Sequence, residues 1–537
     1  MRIFRLSLFL GFLCLTSAGF GAMGAETKVC PTCGHTMPAD YHFCGNCGTN
    51  IENVGAVGMP AASASITTIP AGTVSATSTT TTTTITTNAN GMPIGSPAAH
   101  GSSALSDKPT PLKLAGFPDR PKPIIEIGQN PFLGVGPIAP GFKIPTGAVW
   151  QPVFIAFGTA RTALQTFDNG RGQITEWANR LDLYGNLYLT PTERLLIGFR
   201  PLDRDGLDYS GYRFDPRQGL KNDLNAYVTT LFFQGDFGEI FPNLDPNDTK
   251  SLDYYFSIGR QPLSFQDGIM INEDVIDAFG LTRTSLFFLG ASALRTTFIF
   301  AWNELNRNNN LRDNSAKLFG LFNTADYAAD TVDFDLAYVN ADDFTGGDGF
   351  YVGLGDTRRF GLINSTTRVN ASVALDRETP AVSTGVLLFQ QLSTTMPHSK
   401  DVLYFDAFWG IEDYSSAARG GDRGGPLGQT GILFAAQGLG AYGAPLGNRA
   451  NDAVGMALGY QKFLGSTDRQ LTVEIGGRVA TDDPRFFAAS QPDSVAAAAR
   501  YQMKLNQHSV LILDAFVGFP EDRSTAYGFR SELLLKF

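Results

Sequence analysis

A chain of 537 residues is too long for one ordinary globular core, so several regions are expected. Charged residues make up 17% and aromatics 12%, with 59 glycines, 41 phenylalanines, a net charge of -10 and a mean hydropathy of -0.05. That balance excludes a membrane protein built of many apolar helices, because no stretch after residue 25 supplies the roughly 18 apolar residues a spanning helix needs, and the acidic excess disfavours a nucleic-acid partner.

Residues 1–25 read as a secretory signal. Arg2 and Arg5 precede the apolar run 6–18, and Ala22, Gly24 and Ala25 offer a small-residue cleavage site. Cys14 lies inside that run and leaves with it. Residues 26–50 hold the other four cysteines as two Cys-x-x-Cys-Gly elements, Cys30 with Cys33 and Cys44 with Cys47, ten residues apart. The glycine after each pair permits the tight turn that brings backbone N–H groups to the sulfurs, and two such knuckles complete a tetrahedral site. The module resembles a short zinc ribbon. That resemblance implies a structural Zn2+ on four thiolates, with His35 and His42 as bystanders and no open position for catalysis. So short a peptide has almost no core, so the metal would supply its folding energy, roughly 10 kcal/mol or more. Exported cysteines also oxidise, and two disulfides remain the alternative.

Residues 51–111 collapse to Ala, Ser, Thr, Pro and Gly and cannot bury enough apolar surface to fold, so a disordered linker is expected. Its mean reach is on the order of 40 Å. Residues 112–147 are Pro-rich but keep Ile124, Ile125, Ile127 and Phe132, which suits a segment packed at a barrel mouth or a plug inside it.

From residue 148 to 537 the pattern becomes repeated segments of about ten residues with period-two alternation. The clearest are the last five, in which Leu471, Val473 and Ile475 oppose Thr472 and Glu474, and Tyr501, Met503 and Leu505 oppose Arg500, Gln502 and Lys504. Earlier segments at 179–189, 223–233, 253–260, 295–302, 317–322, 331–340, 381–391 and 402–411 fit the same template. Aromatics gather at strand ends, as an interfacial girdle requires. Connections alternate between short ones (465–468, 506–509) and long ones (414–429, 437–451). Lipid offers no partner for an open sheet edge, so the strands must close. The expected fold is all-β: a transmembrane antiparallel up-and-down barrel of about 16–18 strands, wide enough for an aqueous lumen.

The final strand sets Tyr527, Phe529, Leu533, Leu535 and Phe537 against Arg530, Glu532 and Lys536. This resembles the assembly signal of Gram-negative outer-membrane proteins. It implies an outer-membrane location, contact with lipid and lipopolysaccharide, and handling by the barrel-assembly machinery. An even strand count then puts both chain ends, and the cysteine module, in the periplasm. Gly259-Arg260-Gln261 with Asp267-Gly268 is similar to a feature of the alginate-export family of porins and implies a polysaccharide channel.

The first 145 residues hold 8 basic and 6 acidic side chains, which leaves the barrel region 33 and 45, a balance of about -12. Such a lumen would enrich cations, unless the acids sit on outer loops, where Asp203, Asp205, Asp208, Asp245, Asp248, Asp342, Asp343 and Asp348 are placed. Strand phase makes Glu474, Arg478, Arg500, Lys504, Arg530 and Glu532 the pore-lining candidates. They carry both signs, which suits passive diffusion of small solutes or ions. The second reading is an envelope-anchoring barrel whose periplasmic module binds peptidoglycan or a protein partner. A homotrimer fits porins generally. No nucleophile stands beside a credible base, and the GxGxxG match at 438–443 lacks the following helix, so no enzyme is expected.

Overall fold

Period-two alternation of apolar and polar residues over ten to sixteen positions makes a strand with two unlike faces, and such strands close on one another when both edges must be paired. The structure, a computed structural model, describes residues 27–29, 36–38, 122–128 and 140–537, apart from 205–208, 248 and 483–490. The chain divides into two units, Met1–Ala104 and Leu105–Phe537. In the first, Thr27–Val29 pairs antiparallel with Thr36–Pro38. Cys30, Cys33, Cys44 and Cys47, the linker 51–111 and Phe132 lie outside the described residues.

Among the described residues of the second unit, eighteen antiparallel strands form a closed transmembrane barrel. They are β1 Val153–Asp168, β2 Gln173–Tyr188, β3 Arg194–Phe199, β4 Val228–Asp236, β5 Tyr254–Phe265 and β6 Ile271–Leu286. Next come β7 Ala293–Asn303, β8 Lys317–Asp326, β9 Asp330–Asn340, β10 Gly349–Phe360, β11 Ile363–Ala374 and β12 Gly385–Thr395. The last are β13 Val402–Glu412, β14 Ala453–Phe463, β15 Arg469–Ala480, β16 Ser494–Asn506, β17 Ser509–Pro520 and β18 Ala526–Lys536. Closure runs β18 against β1, from Tyr527 opposite Asp168 to Lys536 opposite Thr159. Phe537 then exchanges two backbone hydrogen bonds with Gly158, of 2.8 and 3.1 Å. Tyr527, Phe529 and Leu535 are exposed on the outer wall, while Arg530 and Glu532 are buried on the inner one.

Ile125–Ile127 pairs with Phe154–Ala156 of β1, and Phe142–Lys143 pairs with Val149–Trp150. Asn243, from the connection after β4, donates to the Pro145 carbonyl at 3.1 Å. The described parts of 112–147 therefore finish the barrel's C-terminal end and do not plug its lumen. That connection opens with a single helical turn, α1 Phe237–Ile240, capped by Asp236. Asp245 lies in it, opposite to the outer loops where it was expected, and Asp203 is buried.

Two elements leave the wall and enter the lumen. β6 pairs with β7 only from Asp277 onward, so the β5–β6 hairpin tip, which holds Asp267 and Gly268, bends inward. Gly259 and Arg260 stay in the wall, opposite Phe232 and Leu231 of β4. The connections expected at 414–429 and 437–451 are parts of one segment, 413–452, because β13 pairs directly with β14. Ala418–Arg419 of that segment pairs in parallel with Ile271–Asn272 of the tip. Both insertions have apolar seats. Met270 and Ile271 pack with Phe322, Val339 and Tyr351, and Phe265 stacks on Phe322. Leu427, Leu433, Phe434 and Leu446 pack on the inward faces of Leu387, Phe389, Phe408 and Ala457. Each such buried side chain contributes about 1.5–3 kcal/mol relative to exposure. A porin wall would normally be polar inside; here it is apolar where an insertion sits.

Candidate functional site

The site lies where segment 413–452 meets the inner wall of β1, β2, β15 and β18. Inward phase places Arg161 on β1, Glu176 and Arg180 on β2, Glu474 and Arg478 on β15, and Arg530 and Glu532 on β18. Backbone amides and carbonyls of a segment without regular structure need partners once they leave water, and these wall side chains provide them.

Two glutamates act alike. Glu474 is fully buried and accepts from the Ile432 and Leu433 amides at 2.8 and 2.9 Å and from the Tyr404 hydroxyl at 2.5 Å. The preceding Gly431 has φ +53°, and a Cβ there would stand 2.6 Å from the Glu474 carboxylate. Glu176, also fully buried, accepts from the Ala441 amide at 2.6 Å and Gln165 Nε2 at 2.7 Å, and from the Tyr209 hydroxyl. The preceding Gly440 has φ +65°, and its Cβ would stand 2.5 Å from Glu176 Oε1. At both points a left-handed glycine lets the backbone close onto a carboxylate.

Arginines hold the carbonyls. Arg478 donates to Leu446 and Arg449 oxygens, both at 3.0 Å. Arg161 reaches the Gln437 carbonyl at 3.1 Å and pairs with Glu532 at 2.6 Å. Arg500 and Arg530 both donate to the Gln437 side chain, at 2.8 and 3.1 Å, and both pair with Asp514. Arg530 also pairs with Glu532. Five of the six pore-lining candidates therefore point inward; Glu474, Arg478, Arg500 and Arg530 bind the inserted segment, and Glu532 pairs with Arg161 and Arg530. Lys504 lies apart, half-exposed near a turn, 3.6 Å from Asp468.

Between segment and wall a cavity of about 160 Å³ remains, room for roughly five waters at about 30 Å³ each. Three guanidiniums (Arg161, Arg180, Arg423), one carboxylate (Asp422) and the amides of Asn272, Gln429 and Gln437 line it. Asn272 Nδ2 is buried and has no acceptor among the described residues. Asp422 and Arg423 tie the segment to a wall cluster: Arg180 to Asp422 at 2.7 Å and to Asp182 at 3.1 Å, Arg200 to Asp182 at 2.9 Å and to Asp274 at 2.7 Å. Burial opposes ionisation of Asp422, but the guanidiniums of Arg423, Arg180 and Arg200 outweigh it and hold its carboxyl well below the ordinary carboxylate range.

Sequence reasoning passed over Arg161, Arg180, Arg200, Asp422 and Arg423. Arg161 sits on a strand whose inward set also contains Val153, Phe157, Ala163 and Phe167, so β1 looks apolar on both faces. The glycines of 438–443, rejected as a nucleotide motif, hold the turn at Glu176. Among the described residues, no three His, Cys, Asp or Glu side chains are grouped to hold a metal.

No family model matches the chain, and no curated protein matches it. Among solved structures, OccK5 (OpdH) of Pseudomonas aeruginosa is similar with a TM-score of 0.46 and 11% identity, covering 72% of this chain and 98% of that one. The Pseudomonas aeruginosa outer membrane protein opdK gives 0.47 and 10% over 71% and 98%. OpdK from the same organism, solved with vanillate, gives 0.47 and 12% over 71% and 98%. Likeness at this level says nothing of the solute.

Proposed function

We propose that the chain is an outer-membrane porin for passive diffusion of small solutes, with its selective step at the Arg161–Arg180–Arg423 cavity. One observation carries the reading: where segment 413–452 faces Arg161 of β1 and Arg180 of β2, a charged gap of about 160 Å³ remains unfilled by side chains. A solute crossing there meets three guanidiniums against one carboxylate in a low-dielectric surround, which favours small anions over cations. Planar-bilayer recording of the refolded chain tests this. Discrete conductance with an anion-selective reversal potential is expected, and Arg161→Gln should move that potential toward cations. A silent barrel would sink the transport reading.

A silent barrel would instead support the second reading, an envelope anchor, which the double apolar seating of the insertions favours. The Cys30, Cys33, Cys44 and Cys47 module remains a proposal of structural zinc in either case. Metal analysis of the exported chain checks it: about one zinc per chain is expected for a four-thiolate site, and metal-free protein without titratable thiols would mean disulfides.

A further inference from the structure

We propose that the connection between β6 and β7, residues 287–292, is a lipid-inserted foot, whose Phe287, Phe288 and Leu289 enter the phospholipid headgroup–acyl boundary at the barrel's C-terminal end. Among the other turns at that end, Gly465 to Asp468 and Gln507-His508 carry small and polar residues, while the Gly361-Leu362 turn exposes Phe360, Leu362 and Ile363. In the 287–292 turn, Phe287 is 81% exposed, Phe288 61% and Leu289 77%. Three adjacent large apolar side chains left in water are a mark of an interaction surface, since each would gain on burial.

The occupant follows from what the turn continues. On the outer wall of β6, Phe279 and Leu281 belong to the lipid-facing stripe, paired with Phe300 and Phe298 of β7. The next outward residue, Arg283, stacks over the Tyr254 ring at 4.6 Å and donates to the Ser251 and Asp253 carbonyls at 3.0 and 3.1 Å. A tyrosine under an arginine is the pair that sits at headgroup level, ring toward the chains and charge toward phosphate. The Phe-Phe-Leu turn begins four residues after that marker, past Thr284, Ser285 and Leu286. Leu289 and Gly290 take φ +48° and +79°, so the chain reverses there. An apolar turn contiguous with the lipid stripe and headed by a headgroup-level arginine behaves as interfacial amphipathic segments do, burying its apolar side some 5–10 Å into the boundary. Exposed Lys250, in the neighbouring connection after α1, adds a second cation for phospholipid phosphate. The inference is independent of whether the barrel conducts.

The test uses the full chain carrying 4-trifluoromethylphenylalanine at position 288, reconstituted in phosphatidylethanolamine–phosphatidylglycerol vesicles. Fluorine relaxation is compared for a doxyl label high on the lipid chain and for a gadolinium chelate in the water. The expected result is several-fold stronger broadening by the lipid label. Stronger broadening by the aqueous chelate would overturn the proposal. So would broadening by neither, which would mean the side chain is covered by protein, either a second copy or another part of this chain. As a second readout, Phe287→Ser/Phe288→Ser/Leu289→Ser should lower the unfolding temperature in these vesicles and leave single-channel conductance unchanged. An unaltered unfolding temperature in that variant would also count against the foot.

Discussion

At Glu474 a carboxylate without solvent contact accepts two backbone amides and a phenol, and Glu176 accepts one backbone amide, a side-chain amide and a phenol farther along the segment. Removing such an acceptor leaves buried donors unpaired, at a cost of about 1–3 kcal/mol. Glu474→Ala should therefore loosen 413–452 while the wall stays closed. Noisier open-channel current and faster proteolysis within 413–452 are expected, with the heat-modifiable gel mobility of a folded barrel retained; unchanged noise and cleavage would show that the apolar seat alone holds the segment. Asp422 allows a pH prediction. Its folded pKa is depressed below the ordinary value of about 3.9, so its contribution is complete above that value and is lost as pH falls through the depressed one. Conductance set by the segment should then be flat from about pH 8 down through the ordinary carboxylate range at about 3.9 and rise only well below it. Asp422→Asn should show the raised level already at neutral pH. A wild-type response centred near pH 6 would point to another group.

The inserted segment is the element that distinguishes this barrel from an open one. Replacing 424–447 with a short Gly-Ser link removes Leu427, Leu433, Phe434 and Leu446 from their seats and should raise conductance several-fold, read in the same bilayers. How legible this was in the sequence differs by element. β14 to β18 could be read directly, because Val473 and Ile475 against Glu474, or Phe529 against Arg530, give one apolar and one charged face. The outward face of Tyr527 and Phe529 and the inward side of Glu474 and Arg530 followed from that alternation, whereas counting turns bounded the strands only to about 16–18, against eighteen observed. The insertions were not legible. Alternation tells which residues point inward but not what they meet there, so charges that grip a loop look the same as charges that line water. The signal that was present is the apolar inward set of β12 and β13, Leu387, Phe389 and Phe408. A strand apolar on both faces is a wall covered on both sides.

For the whole molecule, the barrel region is acidic by about 12 charges, yet the cavity between segment and wall is lined by three arginines and one aspartate. A net charge spread over outer loops and wide vestibules is screened within about 8–10 Å at physiological salt, whereas charges lining a narrow, poorly hydrated gap are not. On the proposed reading the arginine-lined cavity therefore decides the sign of selectivity, and the bulk charge becomes visible only when that cavity is gone. The 424–447 replacement deletes Gln429, Gln437 and the carbonyl of Gly438, which line the gap, and frees Arg161, Arg180 and Arg530 into open water. Its reversal potential should cross from anion- toward cation-selective, and the cation preference should fade as salt rises through the screening range. Wild-type selectivity should vary much less over the same salt series. If the opened barrel kept the wild-type sign at low salt, the arginine-lined cavity would not be the selective step, and the wall charges outside segment 413–452 would have to carry it.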